Sequence, residues 1–214
     1  MDTVAVIDFE TTGLYPRYGD RATEIAIILV RDGEIVDRYQ SLMNAGVRLN
    51  GFITSLTGIT NQMILAAPPA ARVMQEAASF VGEIPLIAHN ASFDRGFWDA
   101  ELARIGQSRR QPFACSMLVA RRVMPDAPNH KLATLVAYAG LPVTGNYHRA
   151  EADAEMAAHL TLHLEQQLMQ RYGLTAVPHA LLARIQKTPK SQLCACVERF
   201  GERCAGRDLR GSNR

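Results

Sequence analysis

Apolar positions in this chain fall first into strand-like runs and only later into helical stripes. Val4-Ala5-Val6-Ile7 is an unbroken run of small and branched residues, the pattern of a strand buried on both faces. Ala22–Val30 and Glu34–Leu42 read as two more strands joined at Asp32-Gly33, so the first three strands predict an antiparallel meander. Tyr15–Arg21 is a turn rich in Pro, Gly and charge, and Asn44–Thr60 is irregular with room for one short helix. Pro68-Pro69 then opens a helix to Val81, and Leu86–Ala88 reads as a short buried strand parallel to the first. A helix over 93–105 follows, with Ser92 or Asn90 as cap and Gly106 as stop. A strand near Pro112–Ala114 precedes helices over 116–123, 131–138 and 151–171. Strands that are first sequential and then alternate with helices predict an α/β fold, a mixed five-stranded sheet flanked by helices. The expected domain covers 1–172; residues 173–214, punctuated by Pro178 and Pro189, form an extension with partial helix.

Composition narrows the class. With 214 residues, 48% hydrophobic and 21% charged, the chain suits one globular domain with an appendage. Asp2, Asp8 and Glu10 interrupt the N-terminal apolar stretch, and Ile25–Val30 is too short to span a bilayer. A soluble, cytoplasmic protein is expected, with Cys115, Cys194, Cys196 and Cys204 as reduced thiols. Cys194, Cys196 and Cys204 with His179 match no strong zinc spacing. The net charge of +2 divides unevenly: residues 171–214 carry +6 and residues 1–170 carry −4. Such a basic tail suits phosphate contact or plain solvation.

The acids are more telling. In a strand Asp8 and Glu10 point the same way. Side by side at the end of a buried strand they repel each other and resist desolvation, a conflict that a divalent cation resolves; an exposed strand edge would also tolerate them. Asp94 lies in the first turn beyond the Leu86–Ala88 strand, where it complements a helix dipole or joins a site at the strand ends. Asp153 shares its helix face with Ala157, Leu160 and Leu164, so it points inward and needs a partner. His148, five residues earlier and following Gly145, is either a surface residue or an imidazole able to take a proton from water. His89 borders these acids; His159 and His163 read as a solvated pair, and nothing supports His130.

Three stretches together resemble a known family. Asp8-Phe9-Glu10-Thr11-Thr12-Gly13-Leu14, His89-Asn90-Ala91-Ser92-Phe93-Asp94 and His148-Arg149-Ala150-Glu151-Ala152-Asp153 are similar to the three motifs of the DEDDh 3′–5′ exonucleases. Asn129-His130-Lys131-Leu132 fits the epsilon-like proofreading branch. The resemblance covers about residues 3–170 and implies a ribonuclease H-like fold. It implies that Asp8, Glu10, Asp94 and Asp153 hold two Mg²⁺ or Mn²⁺ ions, with Asp8 bridging them and His148 as general base. Thr11, Thr12 and Leu14 would then meet the terminal nucleotide and Phe93 the penultimate sugar or base, with His89 and Asn90 also on the substrate side. The expected activity is release of nucleoside 5′-monophosphates from single-stranded or frayed DNA ends. An RNA-directed exoribonuclease is the alternative within that chemistry. A binding subunit attached to a DNA polymerase or clamp is the alternative outside it.

Overall fold

β1 (Val4–Thr11) forms the middle of the sheet because it can be covered on both faces. Its neighbours are β2 (Ala22–Arg31), antiparallel on one side, and β4 (Leu86–Ala88), parallel on the other. β3 (Glu34–Leu42) and β5 (Phe113–Cys115) complete the order β3-β2-β1-β4-β5. The computed structural model describes residues 3–143 and 148–201. Every strand is where the apolar pattern put it, and the five-stranded mixed sheet is the fold expected.

Alternation divides the strand residues between two cores. Val4 and Val6 of β1 join Ala26, Ile28 and Val30 of β2 under α7 (Ala150–Tyr172), α5 (Ser116–Val123) and α8 (His179–Ile185). Ala5, Ile7 and Phe9 face the other way, with Ile25, Ile27 and Leu29, against α3 (Ala70–Val81) and α4 (Ser92–Arg104). α6 (Leu132–Tyr138) packs Val136 on Met156 of α7.

Two regions depart from expectation. The stretch read as irregular with one short helix holds α1 (Gly51–Thr57), and an unexpected second helix, α2 (Asn61–Ala66), follows just beyond it; each is capped by a side chain: Asn50 Oδ1 accepts from Ile53 N at 2.9 Å and Thr60 Oγ1 from Met63 N at 3.2 Å. Neither would persist alone at that length; Leu49, Ile53, Ile59 and Ile64 bury one another and hold the pair. At α4 neither expected cap is used; Asn90 instead turns the chain in the left-handed region at φ 68° before the helix begins.

The second departure is the C-terminal stretch. Val177, Leu181, Leu182, Ile185, Leu193, Cys196 and Val197 are buried in the same core as β1 and α7, so residues 174–201 complete the domain instead of trailing from it. Gln186 behaves like one residue of a sixth strand, its amide accepting from Cys115 N at 2.7 Å and donating to Phe113 O at 3.2 Å on β5. His179 Nε2–H donates to Leu86 O at 2.9 Å, and Cys196 is buried 3.3 Å from the Thr188 hydroxyl. They form no metal cluster with Cys194 among the described residues, and Cys204 lies outside those residues, as does Gly145. No described helix is long and apolar enough to cross a membrane.

Candidate active site

The turn after β1 is built to hold a fixed shape. Thr11 Oγ1 donates to Gly13 O at 2.6 Å, and Thr12 Oγ1 donates to Asp20 Oδ1 at 3.2 Å while accepting from Arg21 N at 3.0 Å. Asp20 Oδ2 accepts from Tyr15 N at 2.9 Å. Gly13 sits against this carboxylate, and a Cβ there would collide with it, so the turn requires glycine. Thr12 N donates to Arg21 O at 2.9 Å, whereas the N–H groups of Gly13 and Leu14 have no partner among the described residues. Both threonine hydroxyls are therefore spent on the turn itself.

The strand alternation that buries Val4 and Val6 carries Asp8 and Glu10 to the α7 side, where the first turn of α7 presents Asp153. Ligand atoms of Glu10, His148 and Asp153 lie within 4.8 Å of one another. His148 adopts φ 64°, and its N–H donates to Asp153 Oδ2 at 3.0 Å, which fixes the acid relative to the histidine that precedes it. Asp94 enters from the first turn of α4 and is 1% exposed.

Burial raises the pKa of all four carboxyls. Burial raises Asp8 well above the carboxylate range, and Asp94, Asp153, Glu10 and Glu24 each push it further. Burial, then Asp153, raises Glu10 to about 8. Burial raises Asp94 to about 8 although the N–H groups of Asp94 and Phe9 pull it down, and Asp153 is raised for the same reason. Asp94 Oδ1 is buried with no hydrogen-bond partner among the described residues. An orphaned carboxylate oxygen beside three more acids is a donor set suited to a hard divalent cation.

This has a consequence for the metal-free protein. Folded carboxyls with raised pKa values hold protons that the unfolded chain gives up near pH 4, so they favour folding below that pH and the advantage is lost as pH climbs toward about 8. In EDTA the melting temperature should therefore fall steadily from acid pH to about pH 8, and Mn²⁺ should flatten the curve. A melting temperature that rises over that interval would contradict it.

A fifth acid stands next to the four. Glu24 pairs in register with Glu10 and is completely buried, yet it is compensated. Arg149 reaches it with Nε at 3.1 Å and a terminal nitrogen at 2.8 Å, Ala150 N donates at 3.1 Å and Gln40 Nε2 at 2.7 Å. Glu24 thereby ties the start of α7, and with it the segment bearing His148 and Asp153, to β2. Neither Glu24 nor its role is visible in the sequence, because the pair spans 125 positions.

Asp8, Glu10, Asp153 and His148 open onto one groove of about 590 Å³. Thr11, Thr12, Leu14 and Phe93 line it, together with Asn50, Phe52, Ile53, Leu56 and Thr57 from helix α1 and its cap. Leu14 is 66% and Phe52 73% exposed, an apolar pair at the rim. Asp94 sits behind the wall. His89 and Asn90 do not line the groove. His89 is half-buried, with burial pushing its pKa down to about 4. Its Nε2–H donates to His130 O at 3.0 Å and Nδ1 accepts from the Ser116 hydroxyl at 2.9 Å. It braces the end of β4 against the Asn129–Lys131 turn, which gives that stretch a structural part of its own.

Comparison with known proteins agrees with this geometry. A family model described as Exonuclease, of the RNase T type, matches residues 5–161. The PolC-type DNA polymerase III of Oceanobacillus iheyensis is 38% identical over 171 residues, 79% of this chain and 12% of that protein. Its counterpart in Bacillus subtilis is 34% identical over 165 residues, 76% of this chain and 11% of that protein. The chain thus spans about an eighth of the curated relatives it matches. Among solved structures, exonuclease X in complex with 5′ overhanging duplex DNA superposes with TM-score 0.66 and 27% identity over 86% of this chain and 99% of that one. The nuclease domain of 3′hExo bound to rAMP gives TM-score 0.67 at 19% identity over 82% and 95%, a likeness of fold.

Proposed function

The chain belongs to the exonuclease family in its DEDDh form, and from that premise we propose that it removes nucleoside 5′-monophosphates one at a time from the 3′ end of single-stranded or frayed DNA. The observation that carries this reading is the meeting of Asp8, Glu10 and Asp153 with His148 in one groove, with Asp94 buried behind them. Asp8, Glu10, Asp94 and Asp153 would hold two Mg²⁺ or Mn²⁺ ions. Once bound, such ions offset the acids' charge, lower the pKa of an attacking water and stabilise the departing 3′ oxygen.

The protein's own groups do the rest. His148, exposed at the groove mouth, takes the proton from water. Asp153, held by the His148 N–H, keeps that imidazole's backbone in place. The free N–H groups of Gly13 and Leu14 suit the oxygens of a terminal nucleotide, and Leu14 and Phe52 supply apolar surface for its base. A groove of about 590 Å³ has room for one or two nucleotides, not a long duplex. Relatives that are PolC-type polymerases, and the neighbour solved with duplex DNA, favour DNA over RNA and a place beside a polymerase.

The test is a 5′-labelled strand incubated with Mn²⁺. A ladder shortened from the 3′ end, with mononucleotides released and EDTA stopping the reaction, is the expected result. Faster loss of a matched RNA strand would overturn the DNA preference, and a chelator-resistant nuclease would overturn the metal assignment.

A further inference from the structure

The groove that holds the acids contains no Lys or Arg among its described lining residues. A polyanionic strand led into it meets carboxylates, so attraction for its backbone has to come from elsewhere. The first turn of α4 shows where. Phe93 on one flank lines the acidic groove, while Ser92 and Arg95 on the other line a second cleft of about 290 Å³. Across that cleft stands Lys187, from the basic C-terminal stretch, and its floor is formed by Phe113, Met117 and Leu118. Arg95 and Lys187 are both exposed, and neither has an ion-pair partner among the described residues. Other clefts mix signs, one lined by Glu83 with Arg110 and another by Asp126 with Arg171; this one carries cations and no acid. Two unpaired cations above a partly apolar floor suit phosphates on one side and base faces on the other.

We infer that this cleft seats the backbone of the single strand immediately upstream of the end held in the acidic groove, with Arg95 and Lys187 on successive phosphates. The strand bends over the first turn of α4, and the charge of the C-terminal stretch is thereby put to use. This rests on the exonuclease reading for what occupies the first groove.

The test uses the full chain and the double variant Arg95→Ala/Lys187→Ala, both exposed positions, with equal melting temperatures as the check on folding. Binding of a fluorescent oligothymidylate is followed by anisotropy in Ca²⁺ across a salt titration. A single-strand phosphate contact contributes about 0.7 to the slope of log affinity against log salt, so losing two should make the slope shallower by about 1.4 and weaken binding about tenfold at moderate salt. Turnover of a thymidine monophosphate nitrophenyl ester, which has no upstream phosphate, should be unchanged. An unaltered slope and affinity would overturn the proposal, as would an equal loss of affinity for blunt duplex, which would place duplex strands there. Should the wild-type protein degrade no strand at all, the exonuclease reading fails, while the anisotropy still decides whether the cleft binds one.

Discussion

Replacing Asp8 with Asn should abolish turnover by about 10³-fold or more, the loss of several kcal/mol of transition-state stabilisation. The same change should make the metal-free protein more stable, not less. Asp8 is raised by burial first and then by Asp94, Asp153, Glu10 and Glu24, and an amide removes that repulsion while keeping the shape. The two melting curves separate the effects. In EDTA the variant should melt above the wild type. Added Mn²⁺ should raise the wild-type melting temperature, since a ligand confined to the folded state stabilises it, and should raise the variant's much less. A variant that melts lower in EDTA would mean that Asp8 supports the fold, and the case for a cation-holding cluster would weaken with it.

His148→Ala should slow turnover by about 10²–10⁴-fold while leaving ion binding nearly intact. The distinction is readable because the chain has one tryptophan, Trp98, whose ring lies 6.4 Å from that of Phe9, between the two acids of β1. A Mn²⁺ titration of Trp98 emission should give similar midpoints for wild type and variant. The variant should also show an altered pH–rate profile, because the group that accepts the proton from water is gone. An unchanged profile would remove His148 as the base, whatever the size of the rate loss.

What could be read from the chain, and what could not, follows from where each signal is stored. The meander was legible because alternation and the Asp32-Gly33 turn are local. The four acids were legible because each sits at a strand end or a helix start, where the chain announces its own geometry. The sequence leaves room for one short helix in 44–60 without placing α1, and gives no place to α2, although Asn50 and Thr60 mark their starts, since helices of seven and six residues draw their stability from Leu49, Ile53, Ile59 and Ile64 and not from periodicity. Phe52 and Leu56 were lost to the site along with them. Thr11, Thr12 and His89 fell in the right stretches, but their hydrogen bonds are made to the protein. Nothing local reveals that, because the His89 partners lie 27 and 41 positions away.

Gln186 bears on how the molecule can be divided. The motifs are complete by Asp153 and the long helix ends at Tyr172, which invites a cut there. Such a cut would strip the amide from Cys115 and Phe113 and leave the outermost strand bare, free to recruit a strand from another copy. The smallest piece expected to keep its sheet edge covered must therefore extend beyond the last residue that chemistry requires, because the boundary of this domain is drawn by the closing of a sheet.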